Sequence, residues 1–169
     1  MKHYDLFRAK RTILLVLVFG AATFLNSCKR AAEKTSEKMI EESIGGDAKV
    51  DIDDQKVVIE TDEGTFTTDA NVNSWPEDVP SDVPEFNEGS VIGASTQSLE
   101  GTDNWVIMFE KVPKKALEDY KKRLENAGFT ISYTTVAGSG GQLGAEKDDL
   151  SVMLMMGDGN ATVTVSQDQ

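Results

Sequence analysis

Hydrophobic positions recur along this chain in three different rhythms, and each rhythm marks a different kind of segment. From Thr12 to Leu25 (TILLVLVFGAATFL) they are continuous. From Lys29 to Gly46 they thin to Ala31, Ala32, Met39, Ile40 and Ile44, a weak stripe in a helix-favouring composition that Gly45-Gly46 ends. A helical stalk and a disordered tether both fit that stripe, because an isolated helix of this length is marginal in water. Beyond it the rhythm becomes strict alternation. Val50 and Ile52, then Val57 and Ile59, interleave with polar residues in the runs Lys49 to Asp53, Lys56 to Thr61 and Thr65 to Thr68. Hairpin-length spacers separate the runs, so residues 47–69 read as a β-meander.

Residues 70–90 break the alternation with Pro76, Pro80 and Pro84 among Asp, Ser and Asn, the pattern of an extended linker or a wrapping loop. Residues 91–169 are the most regular part. Strands are predicted at Val91 to Leu99 and Asp103 to Glu110, then a helix from Pro113 to Ala127, with Pro just inside its start and Gly128 just past its end. Leu117, Tyr120, Leu124 and Ala127 form the buried stripe. The pairs Lys114 with Glu118, Lys115 with Asp119, Glu118 with Lys122 and Asp119 with Arg123 stand at i,i+4 on its outer face. Four more strands are predicted at Phe129 to Val136, Gln142 to Lys147, Leu150 to Met156 and Ala161 to Ser166. The fold class expected is α+β: an N-terminal helical stalk and a short β-meander, then an antiparallel sheet with one helix packed on one face, in the order β-β-α-β-β-β-β.

Alternation also assigns faces. Trp105, Ile107 and Phe109 should share one side with Phe129, Ile131 and Tyr133, with Leu150, Val152 and Leu154, and with Val163 and Val165. The other side then carries Val106, Met108, Met153 and Met155, where a wet sheet surface should be polar. Three explanations follow. The meander or the loop bearing Trp75 covers that face as a second core layer, or the face, with Trp75, is a groove of adaptable methionines for a partner or an apolar ligand, or the methionines are simply exposed or their register is misassigned.

Composition changes the picture at the N-terminus. Lys2, Arg8, Lys10 and Arg11 precede the continuous apolar run, which as a helix would span about 21 Å against a hydrocarbon core of roughly 30 Å. This is the layout of a secretory signal rather than of a membrane span. The single cysteine of the chain follows it at Cys28. Leu25-Asn26-Ser27-Cys28 resembles the lipobox of bacterial lipoproteins, with Asn26 in place of the usual small or aliphatic residue. The resemblance implies cleavage of residues 1–27, diacylglycerol on Cys28 as the new N-terminus, and a lipid-anchored tether over residues 28–46. Taken with the meander and the α+β tail, it extends to small bacterial lipoproteins as a class. It implies the cell envelope as location, and Lys29 after the cysteine favours the outer membrane, since Asp there is the usual retention signal.

Charge and residue inventory exclude most chemistry. The 169 residues include 29 acidic and 17 basic side chains, a formal charge of −12, which works against nucleic-acid binding. Loss of residues 1–27 leaves 13 basic and 28 acidic side chains, a charge of −15, so the body should be repelled by an anionic lipid surface. It also removes His3, the one histidine. Without histidine, and with its thiol alkylated, the mature chain lacks a Ser-His or Cys-His nucleophile and the usual zinc ligands. Asp51, Asp53 and Asp54 do not complete a calcium loop, because Gln55 and Lys56 stand where further ligands and glycine are needed. Gly138 to Gly141 fits no phosphate-binding or nucleophile motif and reads as a hairpin. The sequence therefore implies a non-catalytic envelope protein with no cofactor and no metal. Its partners are the membrane, through Cys28, and either an envelope protein or an apolar small molecule that it carries or senses.

Overall fold

The computed structural model describes residues 31–168 apart from 45–47, 54 and 100; the signal segment, Cys28 and the start of the tether lie outside the described residues. One nine-stranded antiparallel sheet organises the protein, with one helix before the first described strand and one between the fifth and sixth: α1 (Ala31–Ile44), β1 (Lys49–Asp53), β2 (Lys56–Thr61), β3 (Gly64–Asp69), β4 (Ser90–Leu99), β5 (Thr102–Glu110), α2 (Ala116–Asn126), β6 (Thr130–Ala137), β7 (Gly140–Lys147), β8 (Leu150–Gly157) and β9 (Asn160–Asp168). The order across the sheet is β1-β2-β3-β4-β5-β9-β8-β7-β6. Two meanders, β1 to β5 and β6 to β9, are thus joined where β5 pairs with β9. The predicted meander does not stand apart, because β3 pairs with β4 along six residues.

Turn chemistry sets the hairpins. Asp158 and Gly159 both take positive φ, 52° and 78°, as the tight turn between β8 and β9 requires. Between β6 and β7 it is Gly138, φ 60°, that occupies the first turn position, where a side chain would be strained.

The side of the sheet bearing Trp105, Ile107, Phe109, Val152, Leu154, Val163 and Val165 is the core, and α2 lies on it through Ala116, Leu117, Tyr120 and Leu124. This helix starts at Ala116, later than predicted; Pro113 only makes the preceding turn, accepting a bond from Ala116 N at 3.0 Å. It ends as the sequence suggests. Gly128 adopts φ 90° while Phe129 N bonds Leu124 O at 2.9 Å and Gly128 N bonds Glu125 O at 3.1 Å, which satisfies the last carbonyls. Of the expected surface pairs, Lys115 with Asp119 forms at 3.4 Å. Arg123 turns away from Asp119 and reaches Asn87 and Glu88 instead.

Those partners belong to the proline segment, which wraps the same side of the sheet. Val79, Val83 and Phe86 are buried in the core. Phe86 stands edge-on to both Phe109 and Tyr120, at 4.8 and 5.2 Å between centroids. Asp78 accepts the Trp105 indole N–H at 3.0 Å, and Tyr120 donates to Pro84 O at 3.0 Å. Burial holds the Tyr120 phenol well above its usual pKa, with Arg123 pulling it down and Glu88 pushing it up.

Helix α1 is not a freestanding stalk. Ile40 and Ile44 pack on Val50, Ile52, Val57, Ile59 and Phe66, a second, smaller cluster on the opposite side of the sheet from α2. Glu41 accepts the Val50 N–H at 3.1 Å and Glu37 accepts the Ile52 N–H at 3.3 Å. Carboxylates one helical turn apart thus meet amides two residues apart, so the helix runs antiparallel to β1 and closes its free edge.

Two outcomes test this architecture. Glu37→Ala with Glu41→Ala should speed amide exchange at Val50 and Ile52 and cost about 1–2 kcal/mol, the lower range for bonds to charged acceptors that water partly screens. Unchanged exchange at both amides would mean that the carboxylates do not guard this edge. Tyr120→Phe should cost about 1 kcal/mol in urea unfolding for its lost bond to Pro84. Because the folded phenol holds its proton more tightly than the unfolded one, the wild type should lose stability as pH rises above the ordinary tyrosine value of about 10. Tyr120→Phe should flatten that part of the profile.

Candidate docking face

Register across the sheet aligns the second face residue by residue. Tyr133, Gly144, Met153, Thr164 and Val106 form one row over β6, β7, β8, β9 and β5. Gln142, Met155, Thr162, Met108 and Gly93 form the next. Four of the predicted site residues, Val106, Met108, Met153 and Met155, therefore do share one side. Met108 and Met155 flank Thr162 from the two neighbouring strands, about 10 Å apart at two interstrand steps.

No described element covers this part of the face. Met108, Met153 and Met155 remain 38%, 37% and 45% exposed, while α1 shields only the outer strands beyond β4. The expected second core layer is thus absent over β5, β9 and β8. Trp75 is also elsewhere. It packs against the α2-side core, 6.4 Å from Phe109, and cannot join the methionines through the sheet.

Tyr133 moves the other way. Alternation from Ile131 would put it on the core side, but a bulge between Ile131 and Tyr133 shifts the register by one residue and transfers its ring to the methionine side. Gly144 makes room for that ring. A Cβ on Gly144 would stand 2.2 Å from Tyr133 Cε1, so the tyrosine lies flat over a glycine of the neighbouring strand. A second bulge in β4, between Val91 and Gly93, exposes Ile92 at the same end of the sheet as Met108 and Met155. Sequence periodicity gave no sign of either bulge.

The face offers thioethers, a phenol, threonine hydroxyls and, at its rim, the bonded pair Ser166 and Asn104 at 2.5 Å. The Met108 methyl leans over Gly93, towards β4 and away from Met155, so the sulfurs are not gathered for a soft metal. Among the described residues no group of three or more His, Cys, Asp or Glu side chains is placed to hold a metal ion. Asp51 and Asp53 are exposed on the outer side of β1, alternating with buried Val50 and Ile52. No helix among the described residues is long and apolar enough to cross a membrane. Comparison with protein-family models, curated proteins and solved structures finds no match to the chain.

The open face and the core beneath it should respond oppositely to the same chemistry. Met108→Asp with Met155→Asp should fold and melt within about 1 kcal/mol of the wild type, because both side chains already meet water. Ile107→Asp, one residue away and fully buried, should abolish cooperative unfolding, because an unpaired carboxylate would enter the core. A double methionine variant as damaged as Ile107→Asp would make the face structural.

Proposed function

We propose that this protein is a lipid-anchored component of the bacterial cell envelope, most consistent with the outer membrane, which acts without catalysis as an interaction module. The anchor is diacylglycerol on Cys28, and the docking surface is the open face formed by Val106, Met108, Met153 and Met155, extended by Tyr133. The observation that carries the docking role is that Met108 on β5 and Met153 and Met155 on β8 stand exposed on one face, in register on either side of Thr162 and Thr164 of β9, with no described element over them. Isolated surface hydrophobes need no explanation, but a cluster of methionines interleaved with threonines has the mixed composition of a contact site.

A carrier of an apolar small molecule would use the same residues but would need to enclose its cargo. Exposed methionines on a sheet face favour a broad contact with another protein. The acidic body suits an anchored position, because its charge opposes flat adsorption on anionic lipid while a diacylglyceryl cysteine holds it durably. Only Lys29 and Arg30 separate Cys28 from the docked helix α1, so the anchor would hold the sheet close to the lipid with little slack.

Mass spectrometry of the full chain extracted from membranes tests the anchor. The expected species begins at Cys28 and carries diacylglycerol, and Cys28→Ser should leave an unmodified precursor. A photocrosslinking residue in place of Thr162 should yield one discrete protein adduct in the envelope, lost with Met108→Asp and Met155→Asp, while the same residue in place of Lys122 on α2 should yield none. A native mass showing a bound species of a few hundred daltons, displaced by the same double variant, would replace the module with a carrier. An unmodified Cys28 in the mature chain would overturn the anchor.

A further inference from the structure

The two edges of the sheet are built differently. At β1, alternation counted from the hairpin pair Asp53 and Lys56 directs the amides of Ile52 and Val50 outwards, and Glu37 and Glu41 meet them. Lys49, Asp51 and Asp53 add charge along that strand. At the other edge, β6 (TISYTTVA) carries no charged residue and no proline in its eight positions, and pairs only with β7 among the described elements. The same count from its hairpin pair, Ala137 and Gly140, directs the N–H and C=O groups of Val136 and Thr134 outwards. No described side chain bonds to them. An uncharged edge of β-branched and aromatic residues is what soluble proteins normally blunt.

We propose that β6 pairs with β6 of a second copy of this chain, antiparallel, about a two-fold axis at Thr135. The bulge after Ile131 ends the regular run at Tyr133, leaving Tyr133 to Ala137 for the pairing. Centred on Thr135, this segment is self-complementary: Thr135 faces Thr135 of the other copy, Thr134 faces Val136, and Tyr133 faces Ala137. The outward groups of Thr134 and Val136 then meet in hydrogen-bonded pairs, each exchanging both main-chain bonds. Val136, 66% exposed in the single chain, gains a threonine neighbour.

Charge and edge geometry select a second copy as the occupant. Two copies of so acidic a chain repel each other, and close approach is least opposed along strands without charge, of which β6 is one. The two-fold arrangement consumes both open edges, and the guarded β1 edges stop growth, so the assembly closes at two instead of extending into a filament. The axis stands perpendicular to the sheet, so both methionine faces lie on one side, with the two Tyr133 rings beside the junction. Docking of an envelope partner would then use a surface of doubled width, although the pairing itself does not depend on that role.

Cysteine placed in the full, membrane-extracted chain tests this directly, with the wild type as control for Cys28. Across a non-hydrogen-bonded pair the Cα atoms stand about 4.5 Å apart, inside the disulfide range, so Thr135→Cys should oxidise to a covalent dimer. Thr134→Cys lies off the axis and should crosslink about tenfold more slowly. Sedimentation under reducing conditions should give a dimer for the wild type and a monomer for Val136→Lys, with Val136→Lys retaining the wild-type thermal midpoint. A monomeric wild type, a species larger than a dimer, or equal crosslinking at positions 134 and 135 would each overturn the pairing. Because Val136 is exposed, a folded Val136→Lys that remains dimeric would overturn it as well.

Discussion

The pairing of β5 with β9 is the contact on which the remaining structure depends. It joins strands about sixty residues apart in sequence and converts two local meanders into one sheet. Its register sets Trp105 opposite Val165, Ile107 opposite Val163 and Phe109 opposite Ala161, all on the side that α2 covers. The helix follows from the same fact. Leaving β5, the chain must reach β6 at the far edge, and an amphipathic helix crossing the apolar side of β9, β8 and β7 makes that passage while burying Leu117, Tyr120 and Leu124. The proline segment then fills what one short helix leaves open, with Phe86 wedged between Phe109 and Tyr120.

Because the sheet has nine strands and α2 spans only part of one side, the other side is covered unequally. Helix α1 shields the outer strands and uses two glutamates to close their edge. No described element does the same for β5, β9 and β8. The middle of that face, at Ser95 and Thr68, is polar. The exposed methionines are therefore separated from the small cluster beneath α1 rather than being an extension of it. This is why their substitution should leave folding intact.

Local patterns of sequence carried much of this architecture, and the departures have identifiable causes. The hairpins and the helix ending at Gly128 were legible because turn residues and capping act within a few positions. The α+β class and the antiparallel sheet were legible for the same reason. The β5 and β9 junction was not, since alternation says which side a residue faces but not which strand lies beside it. Tyr133 was misplaced because one bulged residue inverts the parity of everything after it. Arg123 was assigned to Asp119 by helical spacing, but a tertiary partner, Glu88, is closer and less exposed to water. Trp75 looked interchangeable with the methionines as an apolar residue in a loop; the wrapping of Val79, Val83 and Phe86 drew it to the core side.

The opposed treatment of the two edges bears on how such a chain stays dispersed. A net charge of −12 spread over the surface disfavours nonspecific encounters, yet charge protects a strand edge only if it sits on that strand. At β1 the protection is local and geometric, through Glu37 and Glu41 on the amides themselves. At β6 the bulge after Ile131 interrupts one end of the strand, but over Tyr133 to Ala137 only general repulsion opposes pairing, and repulsion falls off within a Debye length of about 8 Å at physiological salt. That screening leaves an uncharged edge open to pairing once two copies come within such a distance. Were Cys28 anchored as proposed, confinement in a plane would lower the entropic cost of that association, and two-fold pairing of β6 would limit it to two chains.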